Sequence, residues 1–478
     1  MSEKYAMEDQ EKNKFLRMTT EPVERLVCRM AVPTIISMLV SGLYNIVDTF
    51  FVGRIGNEAT AGVGLVLPVM AIIQAFGFFF GQGSGNYISR SLGARDMSRA
   101  EAMAATGSIC ALLFGVLIMV LGLVFSDAVL FVLGAREDLL DALTIRYAGE
   151  YLAIILCGAP FLCVSCVLNN QLRFQGNAVF SMAGLVSGAV LNCALDPLFI
   201  FTFGMEVKGA ALATIAGQLV SCALLYIGTL RSDSLKIHLK NFSPTPYYLK
   251  NICTGGLPSL FRQSLNSFST MCLNAAAASA VSAALATQTV AAFTVVSKIS
   301  MLAFSAVLGF GQGFQPICGF NYGAKRYDRV RAAYIFCLKV SFIFLTVMAV
   351  TGYIFAGDIV AVFRDDAHVI SIGRTVMRCQ CCTFWMIGLV VMTNMLYQNI
   401  GRVVGGTLLA IARHGLFFIP LVLILPKLLA QPVWGVYLAQ PASDLCSVIT
   451  ALPLAVKMYR ELRSMESRLP DVSSQTAV

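Results

Sequence analysis

The chain has 478 residues, of which 57% are hydrophobic and only 13% charged, with a formal net charge of +9 at pH 7 and a mean hydropathy of +0.74. A soluble domain is roughly 25% charged, so this chain carries about half the charge that a soluble surface needs, and a soluble protein is excluded. The positive excess is not a nucleic-acid signal, because in a membrane protein what matters is where Lys and Arg fall relative to the spans.

Residues 1–26 mix Glu3, Glu8, Asp9, Glu11, Glu21 and Glu24 with Lys4, Lys12, Lys14, Arg17 and Arg25. That is unlike a cleavable signal peptide and predicts a cytosolic tail. Crossing ~30 Å of hydrocarbon takes about 20 apolar residues in a helix. Twelve segments of that order follow, at 27–52, 59–84, 103–125, 144–168, 179–203, 209–230, 252–276, 289–316, 334–356, 369–395, 403–428 and 435–458. The first holds Pro33, Asn45 and Asp48. The second ends on Gly81-x-Gly83-x-Gly85, echoed by Gly309-x-Gly311-x-Gly313 in the eighth. A nucleotide loop would need a strand before the glycines and a helix after them, so these are read as close helix packing. No Gly-x4-Gly-Lys-Ser/Thr motif occurs, and ATP is not expected as the energy source.

The fourth span carries Tyr151 and is followed by Asn169. The fifth carries Asn192, Asp196 and Pro197, and the sixth Thr214. The polar stretch 231–251, with Ser243-Pro244-Thr245-Pro246, predicts a cytoplasmic linker between a six-helix lobe at 27–230 and a second at 252–458, with a tail at 459–478. Span seven offers Arg262, Gln263, Ser264 and Asn266 but no acid, span eight Lys298, span ten Arg378 and Gln380, and span eleven Arg413. Sequence alone assigns no role to Lys298, Arg378 or Arg413. Most of the fifteen cysteines stand singly in apolar runs and read as packing residues. Cys379, Cys381 and Cys382 lack the second half-site that a metal knuckle requires.

With both termini on one side, the opposite loops hold only Arg54, Arg136, Lys208, Arg364 and Lys427. The positive-inside rule then places both termini in the cytoplasm. The halves also repeat. Phe80-Gly81-Gln82-Gly83 returns as Phe310-Gly311-Gln312-Gly313, and Gly93-Ala94 as Gly323-Ala324. At slightly shorter offsets Pro33 pairs with Pro258, Asn169 with Asn394, Gly176 with Gly401, and Val207-x-Gly209 with Val433-x-Gly435. Six spans per half make these parallel repeats about a pseudo-twofold axis along the membrane normal, an arrangement of alternating-access transporters. The expected fold is therefore all-α and polytopic, with twelve transmembrane helices in two lobes.

Asp48 and Asp196 each cost ~2.5–3.5 kcal/mol at a helix centre, so each needs water, a partner or a proton. Asn192 lies four residues before Asp196 on the same helical face, and Pro197 deprives one preceding carbonyl of its amide partner. Three oxygen donors on one stripe suit a proton relay or a hard cation such as Na+. Asp48, near the outer end of its span, has the plainer reading of a side chain that snorkels to the interface. For Asn45, Gln82, Asn169, Gln263, Asn266 and Asn394 the plain reading is interhelical hydrogen bonding.

The run Tyr44-Asn45-x-x-Asp48-x-x-Phe51-Val52-Gly53-Arg54-x-Gly56-x-x-Ala59, then Leu191-Asn192-x-x-Leu195-Asp196-Pro197 and Val207-x-Gly209-Ala210-Ala211-x-Ala213-Thr214, resembles the multidrug and toxic compound extrusion (MATE) transporters, in the branch whose membrane carboxylates lie in the N-terminal lobe. The resemblance runs from about Arg25 to Tyr459. It implies an antiporter that expels organic cations and other amphipathic compounds in exchange for H+ or Na+, by alternating access and without a cofactor. It also implies a cation-coupling set of Asp48, Tyr151, Asn192, Asp196 and Thr214, the metal ligands being Asp48, Asn192, Asp196 and Thr214 if the ion is Na+. Pro33 matches the proline at which the family's first helix bends, and Pro197 is taken as a second bending point. Asn169 matches a cavity position, and Asn45, Gln263 and Asn266 are grouped with it as cavity-lining. The other main branch places acids in spans seven and ten, which are missing here, so no coupling site is expected in the C-terminal lobe.

The expected partners are a small organic cationic or amphipathic substrate and the lipid bilayer of the cytoplasmic (inner) membrane, with no nucleic acid and no ATP, for a monomer. A lipid-linked oligosaccharide flippase of the same superfamily is the nearest alternative. An intramembrane enzyme is disfavoured by the absence of His-Glu-x-x-His and Gly-x-Ser-x-Gly, and a channel by the two-half repeat.

Overall fold

The computed structural model describes residues 12–136, 140–231, 235, 237, 239–280, 283–363 and 366–468. The outermost parts of the expected tails, and several linker residues, lie outside them. Among the described residues there is no strand. After a helix over 12–20 come α1 (Val23–Gly53), α2 (Asn57–Gly93), α3 (Met97–Val124), α4 (Ala142–Phe174), α5 (Ala178–Pro197) and α6 (Glu206–Leu230). The second half holds α7 (Pro246–Ser279), α8 (Ala283–Gly323), α9 (Tyr327–Ile354), a broken α10 (Ala367–Phe384 and Ile387–Asn399), an interrupted α11 (Val403–Ile411 and Phe418–Leu428) and α12 (Pro432–Ser467). The two parts of α10 are bent by 54°.

Among the described residues nine helices are long and apolar enough to cross a membrane, and the bent α10 pair makes ten. The remaining two of the twelve, α7 and α12, carry Arg262, Gln263 and Asn266, and Gln440, Ser443 and Asp444. The helices outrun their apolar segments. Gly81, Gly83 and Gly85 lie within α2, not at its end, and a side chain on Gly85 would collide with the Phe174 ring.

The chain forms two compact units: Met1–Phe15 with Val32–Leu260, and Leu16–Ala31 with Phe261–Val478. The division falls inside α1, just before Pro33, and inside α7, just after Pro258, instead of in the 231–251 linker. The first turns of α1 thus belong to the C-terminal unit and the first turns of α7 to the N-terminal one.

In the N-terminal unit α4 is central. Its Tyr147, Ala148, Tyr151, Leu152 and Ile155 are buried against Ala59, Val63 and Val66 of α2 and Val207, Ala210 and Ala211 of α6. Helices in lipid gain little hydrophobic drive from meeting one another, so close packing through small residues has to hold them. Gly188 of α5 and Gly217 of α6 supply it: a Cβ on either would lie 2.6 Å from the other's carbonyl oxygen. The C-terminal unit has its own core, with Phe293, Val296, Val360, Val376, Met377, Phe418, Val422, Val436 and Tyr437.

The repeat is visible in backbone detail. The turns after α2 and α8 are made by Arg95 and Lys325, both at φ 59, and those after α4 and α10 by Gly176 (φ 87) and Gly401 (φ 79). Short helices, Ser126–Val132 and Ala356–Phe363, follow α3 and α9 at matching places. The Asn169 amide donates to the Ser181 carbonyl at 2.9 Å, and the Asn394 amide to the Gly406 carbonyl at 2.6 Å, each twelve residues on.

Candidate functional site

The tight α5–α6 contact fixes where the polar residues of the N-terminal unit meet. Gly217 also touches the Asn192 side chain, which places that amide against α6. Its nitrogen lies 3.5 Å from Asp196 Oδ1 and 3.4 Å from Thr214 Oγ1, both at the long limit of a hydrogen bond. Asp196 is fully buried, Asn192 and Thr214 are each 2% exposed, and Asp48 on α1 is 9% exposed. Asp48 and Asp196 lie within electrostatic reach of one another. Among the described residues neither forms an ion pair.

Asp48 Oδ1, Asn192 Oδ1 and Asp196 Oδ2 are buried and have no hydrogen-bond partner among the described residues. A buried charge without a partner is strongly unfavourable, and two carboxylates close together disfavour double ionisation. A proton or a small hard cation bound there would relieve both effects. Thr214 Oγ1 adds a neutral oxygen of the kind that alkali and alkaline-earth cations accept. Tyr151 is fully buried on α4, its hydroxyl 3.7 Å from Met70 Sδ. Tyr44, one turn before Asp48, interacts with Thr214 and with both carboxylates. Tyr44 is not among the residues expected from the sequence, although its i, i+4 spacing to Asp48 is a signal for it.

Two prolines frame the group. Pro33 lies inside an unbroken α1, where its carbonyl accepts the Ser37 hydroxyl at 2.9 Å. Pro197 ends α5, and the chain continues as a π turn over Leu198–Thr202. The helical register therefore changes directly after Asp196, a device common near functional sites.

The four cavity residues fall elsewhere. Asn45 is exposed, its amide donating to the Ser41 carbonyl at 2.7 Å. Asn169 is buried and engaged on both sides, since its own carbonyl also accepts the Ser181 hydroxyl at 3.0 Å. This makes it a clamp between α4 and α5. Gln263 is half-buried and Asn266 exposed, both on the part of α7 that belongs to the C-terminal unit.

That unit has a polar centre absent from the sequence reading. Arg413 Nε lies 2.8 Å from Asp444 Oδ1 on α12, with side-chain exposures of 12% and 1%. Gln440 donates to Asp444 Oδ1 at 2.9 Å and Thr383 of α10 to Oδ2 at 3.3 Å. The Ser443 hydroxyl donates to the Arg413 carbonyl at 2.6 Å. Arg413 sits in a second π segment, Ala412–Leu416, which interrupts α11. Two opposite charges in the middle of neighbouring apolar spans were the signal that could have found the pair.

The profile of the MatE family matches twice, over residues 33–198 and 258–424. The Multidrug export protein MepA of Staphylococcus aureus (strain MSSA476) is 27% identical over 453 residues, covering 93% of this chain and 96% of that protein. The outward-facing conformation of a multidrug resistance MATE family transporter of the MOP superfamily superposes with a TM-score of 0.87 at 27% identity, covering 94% of this chain and 98% of that one. A crystal structure of a MATE in the bent conformation also gives a TM-score of 0.87, at 26% identity, covering 95% and 99%.

Proposed function

The chain belongs to the MatE family, and from that premise we propose that it is a secondary active exporter of organic cations and other amphipathic compounds, driven by inward movement of H+ or Na+. It is a multi-pass membrane transporter and not an enzyme. The observation that carries the coupling proposal is the set of three buried oxygens without partners on Asp48, Asn192 and Asp196. These residues hold the coupling cation, with Thr214, Tyr44 and Tyr151 around them. A cation arriving from outside neutralises the carboxylates. That removes the repulsion between α1 and α5, and α1, weakened at Pro33, changes its bend. The bend narrows the N-terminal half of the cavity and displaces substrate outward. Pro197, with the π turn behind it, lets α5 adjust in the same step.

In this reading both termini are cytoplasmic, the membrane is the inner one and the protein works as a monomer. Asn45 of the N-terminal unit, and Gln263 and Asn266 of the C-terminal unit, contact substrate in this reading. The test is efflux of a fluorescent cation from proteoliposomes under proton and sodium gradients imposed separately, for the wild type, Asp48→Asn and Asp196→Asn. Transport by one gradient, lost in both variants while they stay folded, is the expected result. Wild-type efflux from either variant, or no transport with either gradient, sinks the proposal.

A further inference from the structure

The N-terminal unit buries two carboxylates with no cation. The C-terminal unit does the opposite. Arg413 has one carboxylate, and that carboxylate is already engaged: Asp444 accepts from Arg413, Gln440 and Thr383. Only Nε of Arg413 is engaged, and its two Nη groups make no hydrogen bond to the described residues. The guanidinium lies over the Phe304 ring, 4.8 Å from its centre, and retains enough exposure to be reached. On α7, Arg262 is half-buried and has neither a hydrogen bond nor an ion pair among the described residues. Its place is fixed by the next turn, where Leu265 packs on Gly415. His414, also half-buried, interacts electrostatically with both Arg413 and Arg262. Arg413 therefore has the one carboxylate, Arg262 has none among the described residues, and a net positive charge is left inside an apolar helical unit.

A cation in that setting is as unfavourable as the bare carboxylates of the other unit. Guanidinium N–H groups present a planar fork that matches carboxylate and phosphate oxygens. We infer that Arg262 and the free edge of Arg413, with His414 beside them, form an anion-accepting subsite in the C-terminal unit that takes the carboxylate of an amphipathic substrate. Phe304 supplies an aromatic surface next to the charge. The Ser300 hydroxyl, one turn before Phe304, donates to Gln380 at 2.8 Å and continues the polar line toward Thr383. Asp444 holds Arg413 in place and keeps the unoccupied subsite from carrying two uncompensated charges. The exported compounds then include zwitterionic and anionic amphiphiles besides cations, which rests on the transporter reading above.

The experiment uses a rhodamine with a free benzoate and its methyl ester, which differ only in that carboxylate. Equilibrium binding to the purified full-length protein in detergent, without any gradient, is measured first, and gradient-driven efflux from proteoliposomes second. Arg262→Gln should weaken binding of the free acid about tenfold or more and leave the ester within about twofold, whereas Arg262→Lys should retain most of the acid binding. Benzoate should displace the acid, but not the ester, from the wild type, which decides the matter even if Arg262→Gln fails to fold. Equal loss of acid and ester, no loss of either, or no displacement by benzoate overturns the subsite. Absence of gradient-driven ester efflux from the wild type would overturn the transporter reading instead, with the binding result still standing.

Discussion

The two units are built on one repeated plan and treat buried charge in opposite ways. The Asn169–Ser181 clamp returns as Asn394–Gly406, and the left-handed turn at Arg95 returns at Lys325. Yet among the described residues Asp48 and Asp196 of the N-terminal unit have no cationic partner, whereas the C-terminal unit locks Asp444 to Arg413 at 2.8 Å. A fixed counterion makes a charge structural, because nothing mobile needs to arrive. A carboxylate without one is open to a cation from solution, which is what the coupling proposal requires. Like folds therefore serve different ends according to whether the counterion is part of the chain.

The largest expected effect breaks that contrast from the N-terminal side. Asp196→Asn should abolish gradient-driven efflux with little loss of folded protein, because the variant removes a charge that the fold has to accommodate. Efflux rate and thermal unfolding in detergent, measured side by side, check it. From the C-terminal side the sign reverses. Asp444→Asn strands Arg413 and should destabilise by about 3–5 kcal/mol. Replacing both partners with apolar residues of similar size should recover most of that loss, as a double-mutant cycle would reveal. If Asp444→Asn is as stable as the wild type, the pair is not structural.

An intermediate effect is expected at the crossing that positions Asn192. Gly217→Ala forces α5 and α6 apart and should cost about 1–3 kcal/mol, with weaker cation coupling than the stability loss alone explains. Thr214→Ala sharpens the identity of the ion. If Na+ is bound, losing a neutral ligand should raise the Na+ concentration for half-maximal efflux about tenfold. If H+ is the ion, the pH profile should hardly move. The smallest effect compares the matched clamps. Asn169→Ala and Asn394→Ala should each cost about 0.6 kcal/mol, alike in the two units, measured by chemical unfolding in detergent.

Much of this was legible in the residues. The apolar runs marked the spans, since hydrocarbon thickness sets a length that composition reveals directly. The offsets between Phe80-Gly81-Gln82-Gly83 and Phe310-Gly311-Gln312-Gly313, and between Pro33 and Pro258, exposed the duplication that the family match over 33–198 and 258–424 repeats. Asp48, Asn192 and Asp196 stood out because a charge or amide in a span is costly and therefore conspicuous. Asp444 is less legible, because a carboxylate gains meaning only beside its partner, and Arg413 lies on another helix. The surroundings of Asn169 are illegible for a related reason. Spacing places an asparagine on a helix face, but whether that face meets solvent or the Ser181 backbone depends on the next helix.

The sequence by itself determined an all-helical membrane chain, its twofold duplication and the scarce charged residues inside the spans, because each follows from one-dimensional pattern and the cost of burying charge in hydrocarbon. Tertiary structure alone decided which of those charges are paired. Pairing depends on ångström-scale approach of helices far apart in the chain, as where Gly188 meets Gly217 and brings Asn192 to Thr214, or where α11 meets α12 and brings Arg413 to Asp444.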